Sequence, residues 1–88
     1  MKLLLFFLFL FFNSLYPVLS QSNLLETVKK DPNEARNFCK KFRDFNSKGI
    51  SASSDKVIEY VSNKKKLNPV NAEIFSNYVI GLHCPDII

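Results

Sequence analysis

Apolar residues along this chain form one unbroken run and then recur at helical spacing. The unbroken run covers residues 3–12, LLLFFLFLFF. After Pro32, apolar side chains return every three or four residues, at Ala35, Phe38, Cys39, Phe42 and Phe45. This spacing predicts one apolar face of an α-helix. We expect the helix to begin after Asp31, a favourable N-cap, and to end at Gly49, which tolerates a left-handed conformation.

Two later stretches show the same spacing. The first is predicted to start at Ser53 or Ser54, with an inner face formed by Val57, Ile58 and Val61 and with Tyr60 at its edge. The second follows Asn68, and its predicted shared face consists of Ala72, Phe75, Tyr78, Val79 and Leu82. Because this last helix is apolar on several sides, we expect it at the centre of the domain. We expect Gly81 to allow close approach of another helix.

A short helix or turn precedes these three, over the stretch SNLLETVKKDP. Asn23 and Glu26 have the spacing of a capping box, and the element should end before Pro32. The apolar–polar alternation of half-buried strands is absent from the sequence. The predicted fold class is therefore all-α, a small bundle of three main helices plus a short N-terminal helix.

Residues 1–20 have the layout of a secretory signal peptide. Lys2 precedes the apolar run, and the sequence Val18-Leu19-Ser20 offers a cleavage site before Gln21. A membrane-spanning helix needs about 20 apolar residues, which is more than this run provides. We predict export to the periplasm or the cell exterior, with residues 21–88 as the helical domain. The alternative is an uncleaved N-terminal anchor, since residues 15–19 extend the run.

The two cysteines, Cys39 and Cys84, are predicted to form a disulfide. Export leads to an oxidising compartment, and an even number of cysteines leaves no thiol over. Chains this short seldom build a core worth more than about 3–5 kcal/mol. A bridge closing a loop of this length contributes about 4 kcal/mol in the chain-entropy model. The bridge would tie the first main helix to the end of the last one.

His83 stands beside Cys84, which raises the alternatives of a catalytic thiol or a metal ligand. A cysteine nucleophile needs a base in hydrogen-bond reach, and side chains of successive residues diverge. A structural zinc site needs four ligands, whereas Cys39, Cys84 and His83 supply three, with Asp86 as a distant fourth. We therefore expect no enzymatic activity, no metal and no cofactor.

The chain carries a formal net charge of +4 at pH 7. Seven of its basic residues form two groups, which are candidates for contact with an anionic surface: Arg36, Lys40, Lys41, Arg43, Lys64, Lys65 and Lys66. Such a surface is either a phospholipid headgroup layer or an acidic partner. The alternative is a solvated face without a binding role. Export argues against nucleic acid, and no motif that binds it is present.

The order of Cys39, Gly49, Ser51, Cys84 and Pro85 resembles a family of small secreted mycobacterial domains of unknown function, with a Cys…Gly-x-Ser…Tyr-Cys-Pro layout. Here His83 stands where that family has tyrosine. The resemblance implies an exported helical domain with one disulfide, and it supplies no catalytic residues. The abundance of Lys, Asn, Phe and Ile indicates an AT-rich genome and hence a different bacterial host.

Two functions remain. The first is a small exported interaction module that binds a protein partner. The second is a membrane-surface or lipid-associated protein that uses the basic face and an uncleaved anchor. The two differ in salt dependence, because attraction to lipid headgroups weakens as ionic strength rises.

Overall fold

The computed structural model of the chain describes residues 21–88, and the predicted signal peptide, residues 1–20, lies outside them. The described part consists of four helices without a strand: α1 (Gln21–Lys30), α2 (Pro32–Ser47), α3 (Asp55–Lys65) and α4 (Pro69–His83). A disulfide joins Cys39 in α2 to Cys84 after α4. The predicted all-α class, with three main helices, a short N-terminal one and one disulfide, is confirmed.

Helix α2 begins and ends where its sequence predicts. The side chain of Asp31 accepts a hydrogen bond from the N–H of Glu34 at 3.0 Å, and Pro32 occupies the first turn. At the other end, Gly49 adopts a φ of 78°, which residues other than glycine rarely adopt. Local capping thus fixes both ends of this helix.

Helix α3 begins at Asp55, after Ser54 as N-cap, in agreement with the sequence. Of the three successive lysines at its C-terminal end, only Lys64 and Lys65 lie in the last turn. Lys66 follows the helix in a left-handed conformation with a φ of 54°. Its N–H donates to the carbonyl of Ser62, so the lysine run itself contains the turn that ends the helix.

The capping box predicted for α1 is wrong. The helix already includes Gln21, so Asn23 lies inside it. The carbonyl of Asn23 accepts a hydrogen bond from the hydroxyl of Thr27 at 2.9 Å. Leu24 and Val28 of this helix are buried in the core. Packing of these two side chains in the core stabilises the helix here.

Helix α4 contacts each of the other three helices and is central, as predicted. Its buried face consists of Ala72, Phe75, Ser76 and Val79. Leu82 was expected on this face, but it is 51% exposed. The prediction for Gly81 is also wrong, since a Cβ built there has no neighbour within 4 Å. At the end of α4 the buried residue is instead Cys84, which is bridged to Cys39 of α2.

Ser76 takes a core position that the apolar pattern did not predict. Its side chain is buried, and its hydroxyl donates to the carbonyl of Ala72 at 2.9 Å. A hydroxyl that finds its acceptor one turn earlier in the same helix can be buried at low cost.

The phenylalanines of α2 form the centre of the core, as the helical spacing predicted. Phe38, Phe42 and Phe45 are all buried. The ring of Phe38 lies 5.3 Å from that of Phe75 in an edge-to-face arrangement, which joins α2 to α4. Among the described residues, no helix is both long and apolar enough to cross a bilayer.

Candidate functional site

The cysteines are committed to the bridge. Cys39 and Cys84 are both buried, and their Cα atoms lie 6.1 Å apart. A disulfide sulfur is neither a thiolate nucleophile nor a metal ligand. Within residues 21–88, no group of three histidine, cysteine or acidic side chains is placed to hold a metal ion. That the protein is not an enzyme stays a prediction.

The seven predicted basic residues do not share one surface. Arg36, Lys40 and Arg43 are exposed on the outer side of α2. At about 100° per residue, Lys41 lies about 140° around the helix from Arg36. Arg36 donates to the carboxamide oxygen of Asn33, and Arg43 forms an exposed ion pair with Asp86 at 3.1 Å. The outer group is therefore separate from Lys41.

Lys66 lies on a different surface from the outer residues of α2. It lines a depression between α1 and the start of α4, together with Asn23, Thr27 and Asn71. The left-handed turn at Lys66 directs the chain away from Lys64 and Lys65. The run of three lysines in the sequence is thus divided between two sides of the domain.

Of the remaining lysines, Lys64 and Lys65 line a groove between α2 and α3, and Lys41 lies beside it at the ring of Tyr60. This α2–α3 groove has a volume of about 200 Å³, and it is lined by Glu34, Asn37, Phe38, Tyr60, Lys64 and Lys65. Phe38 is part of the core and Tyr60 is half-buried, so their rings form an apolar floor. The polar groups of both helices form the rim.

Tyr60 is the centre of this arrangement. The ammonium nitrogen of Lys41 lies 5.1 Å from the centroid of the Tyr60 ring, and that of Lys64 lies 5.9 Å from it. Behind the ring, Phe38 and Phe45 contact it edge-to-face, with centroid distances of 6.2 and 6.0 Å. Two cations from different helices are thereby held at one aromatic ring through cation–π attraction.

Lys65 differs from these two lysines because it has a carboxylate partner. Its ammonium nitrogen contacts the two carboxylate oxygens of Glu34 at 2.9 and 3.0 Å, which links α3 to α2. The same nitrogen lies 5.4 Å from the centroid of Phe75. Both partners of the ion pair are half-buried, which strengthens the pair relative to one in open water.

The groove has an excess of positive charge. The ion pairs of the described residues join Arg43 to Asp86, Lys48 to Asp44 and Lys65 to Glu34. None of them involves Lys41 or Lys64, whose ammonium nitrogens both lie near the Tyr60 ring. An anion placed near that ring is attracted to both ammonium groups. The geometry therefore suits the binding of a negatively charged group.

The sequence indicated part of this site. Lys41 and Phe45, like Tyr60 and Lys64, are four residues apart, a spacing that brings helical side chains together. The contact of Lys41 with Tyr60 and that of Glu34 with Lys65 join two helices, and no local pattern predicts them. Asn37, Glu34 and Tyr60 were accordingly missed as site residues.

These features define a class: a small all-α domain, tied by one disulfide, with a cationic groove between two helices. The chain belongs to the family described as "Domain of unknown function (DUF8664)", whose model matches residues 25–84. The match shows neither an origin in mycobacteria nor the cysteine layout, so the resemblance to the mycobacterial domains stays a prediction. No curated protein and no solved structure matches the chain.

Proposed function

We propose that this protein is a small exported, non-enzymatic interaction module that binds a protein partner through the α2–α3 groove. The observation that carries this proposal is the meeting of Lys41 and Lys64 at the half-buried ring of Tyr60. Tyrosine is enriched among the central contacts of protein interfaces, in well-packed depressions from which water is excluded. The family description adds no activity to this.

Export is part of the proposal, and the disulfide supports it. Structural disulfides persist in oxidising compartments and are rare in the reducing cytosol. Cleavage before Gln21 would release residues 21–88 with the bridge formed. A native intact-mass spectrum of the protein from its own host, without reductant, tests both points. The expected mass is that of residues 21–88 less two hydrogens, and a full-length mass with free thiols would overturn the export proposal.

The distribution of charge argues against the membrane-surface alternative. Arg36 lies about 140° around α2 from Lys41, so a flat headgroup layer that contacts Arg36 does not also contact Lys41. An interfacial helix also needs an apolar face to insert, whereas the apolar face of α2 is buried in the core. An acidic segment of a partner protein, by contrast, is narrow enough to enter a groove.

Site-specific photocrosslinking in the intact host tests the proposal. A photoreactive residue at Asn37 lies on the groove rim, and one at Asn77, an exposed position of the central helix α4, serves as the matched control. We expect a discrete protein adduct from position 37 that is lost in the Lys41→Gln/Lys64→Gln background, and none from position 77. Equal adducts from both positions, lipid adducts alone or no adduct from position 37 would overturn the proposal.

A further inference from the structure

We infer that the α2–α3 groove recognises a short acidic segment in which two carboxylates flank one apolar side chain. This inference rests on the proposed function and names the chemistry of the ligand. It follows from three features of the groove and its edge: the two lysines at Tyr60, the exposed part of the Tyr60 ring beside them, and the position of Glu34.

The two lysines set the number of carboxylates. Lys41 is anchored on α2 and Lys64 on α3, and both ammonium nitrogens lie within reach of the Tyr60 ring. Neither shares an ion pair with an acidic side chain of the described residues. Each can therefore donate a charge-assisted hydrogen bond to one carboxylate.

The Tyr60 ring sets the character of the residue between the carboxylates. Phe38 and Phe45 support the ring from behind, so it stays in place without a ligand. Tyr60 is half-buried, so part of its ring offers an apolar surface beside the two ammonium groups. At about 200 Å³, the groove is smaller than the roughly 300–1,000 Å³ of pockets that enclose a drug-sized ligand or cofactor. One side chain suits it better than a cofactor.

Glu34 gives the groove a direction. Its carboxylate already neutralises Lys65, so this end carries no excess positive charge and repels a further carboxylate. The acidic residues of the ligand should therefore lie towards Lys41 and Lys64. Replacing Glu34 with glutamine removes the repulsion and frees Lys65 as a third cationic contact.

Fluorescence anisotropy with labelled peptides tests the inference, using the oxidised protein recovered from its host in low-salt buffer. The probe is the peptide Glu-Glu-Phe-Glu-Glu, and the comparison peptides are Glu-Glu-Ser-Glu-Glu and Lys-Lys-Phe-Lys-Lys. We expect the first to bind more tightly than the second, and the third not to bind. Equal binding of the phenylalanine and serine peptides would overturn the apolar part of the inference.

Two double variants with the same loss of charge separate groove binding from general attraction. Lys41→Gln/Lys64→Gln should weaken binding of the phenylalanine peptide about tenfold or more, since tenfold corresponds to one moderate charged contact. Arg36→Gln/Lys40→Gln on the outer face should change it less than about twofold, because those residues lie outside the groove. Equal weakening by both would overturn the inference. Matching circular dichroism spectra confirm that both variants are folded.

Glu34→Gln gives a result of opposite sign. It should tighten binding of the acidic peptide severalfold, whereas a site elsewhere on the domain would leave the affinity unchanged and contradict the inference. The inference and the proposed function fail separately. A protein adduct from position 37 without binding of acidic peptides would overturn the ligand class alone. Absence of any protein adduct from position 37 with both lysines intact would overturn the interaction module itself.

Discussion

The side-chain amide of Asn46 holds the backbone of Ile88 on two sides. Its Oδ1 accepts the N–H of Ile88 at 2.9 Å, and its Nδ2 donates to the backbone oxygen of Ile88 at 3.2 Å. The same Nδ2 donates to the carbonyl of Ile50 at 3.0 Å, and the N–H of Ala52 donates to the oxygen of Ile88 at 2.8 Å. One side chain near the end of α2 thus fastens the segment after Cys84 to the α2–α3 loop.

Asn46→Ala removes these three side-chain hydrogen bonds at once. We expect the free energy of unfolding to fall by about 1–2 kcal/mol, since each bond contributes modestly and water can replace those at the surface. Urea denaturation measures the change. Asn77→Ala, at an exposed helical position, is the matched control and should stay within about 0.5 kcal/mol of the wild type. Equal midpoints for the two variants would show that Asn46 does not hold the segment.

Cys84→Ser breaks the bridge between α2 and the end of α4. The bridge spans 45 positions of sequence, so its loss frees a long loop in the unfolded state. We expect destabilisation by about 2–5 kcal/mol, which can abolish folding of so small a domain. Denaturation of the wild type with and without reductant provides an independent comparison. A midpoint unchanged by both the substitution and reduction would contradict the stabilising role of the disulfide.

Two valines of α4 test which side of this helix forms the core. Val79 is 0% exposed, whereas Val70 is 68% exposed. Val79→Ala should cost about 2–3 kcal/mol, from lost burial of two methyl groups and the cavity left behind. Val70→Ala should stay within about 0.5 kcal/mol of the wild type. Thermal or urea unfolding of both variants measures the contrast. Similar losses of stability would contradict the assignment of Val79, and not Val70, to the core.

The two glycines should respond to alanine with opposite signs. Gly49 has a φ of 78°, where a Cβ costs about 1–2 kcal/mol, so Gly49→Ala should be destabilising. Gly81 lies inside a helix with open space at its Cβ position. Gly81→Ala should therefore stabilise the domain by about 0.5–1 kcal/mol through helix propensity. Unfolding midpoints decide both signs, and a destabilising Gly81→Ala would indicate a neighbour at that position.

A double-mutant cycle on Glu34 and Lys65 measures the link between α2 and α3. Their side chains are 30% and 22% exposed, against 66% and 53% for Asp86 and Arg43. We expect a coupling energy of about 0.5–1 kcal/mol for the first pair and below about 0.5 kcal/mol for the second, because solvent screens exposed pairs. In each cycle the acidic residue is replaced by its amide, Glu34→Gln or Asp86→Asn. The basic residue is replaced by methionine. A larger coupling for the exposed pair would contradict this order.

The sequence by itself determined the helices and most of their ends. Capping by Asp31 and the left-handed turn at Gly49 depend on neighbours a few residues away, so local chemistry specifies them. The phenylalanine stripe of α2 also followed from the sequence, because a helix with one apolar face has only one side to bury. The pairing of the cysteines followed from their even number.

Only the tertiary structure decided which side of α4 is covered and where the lysines lie. Helix α4 is apolar on several sides, so its spacing alone did not exclude Leu82 from the core or place Ser76 inside it. The meeting of Lys41 with Tyr60 joins residues from two helices. Such contacts depend on how the helices pack against one another, and no periodicity along a single helix encodes that relationship.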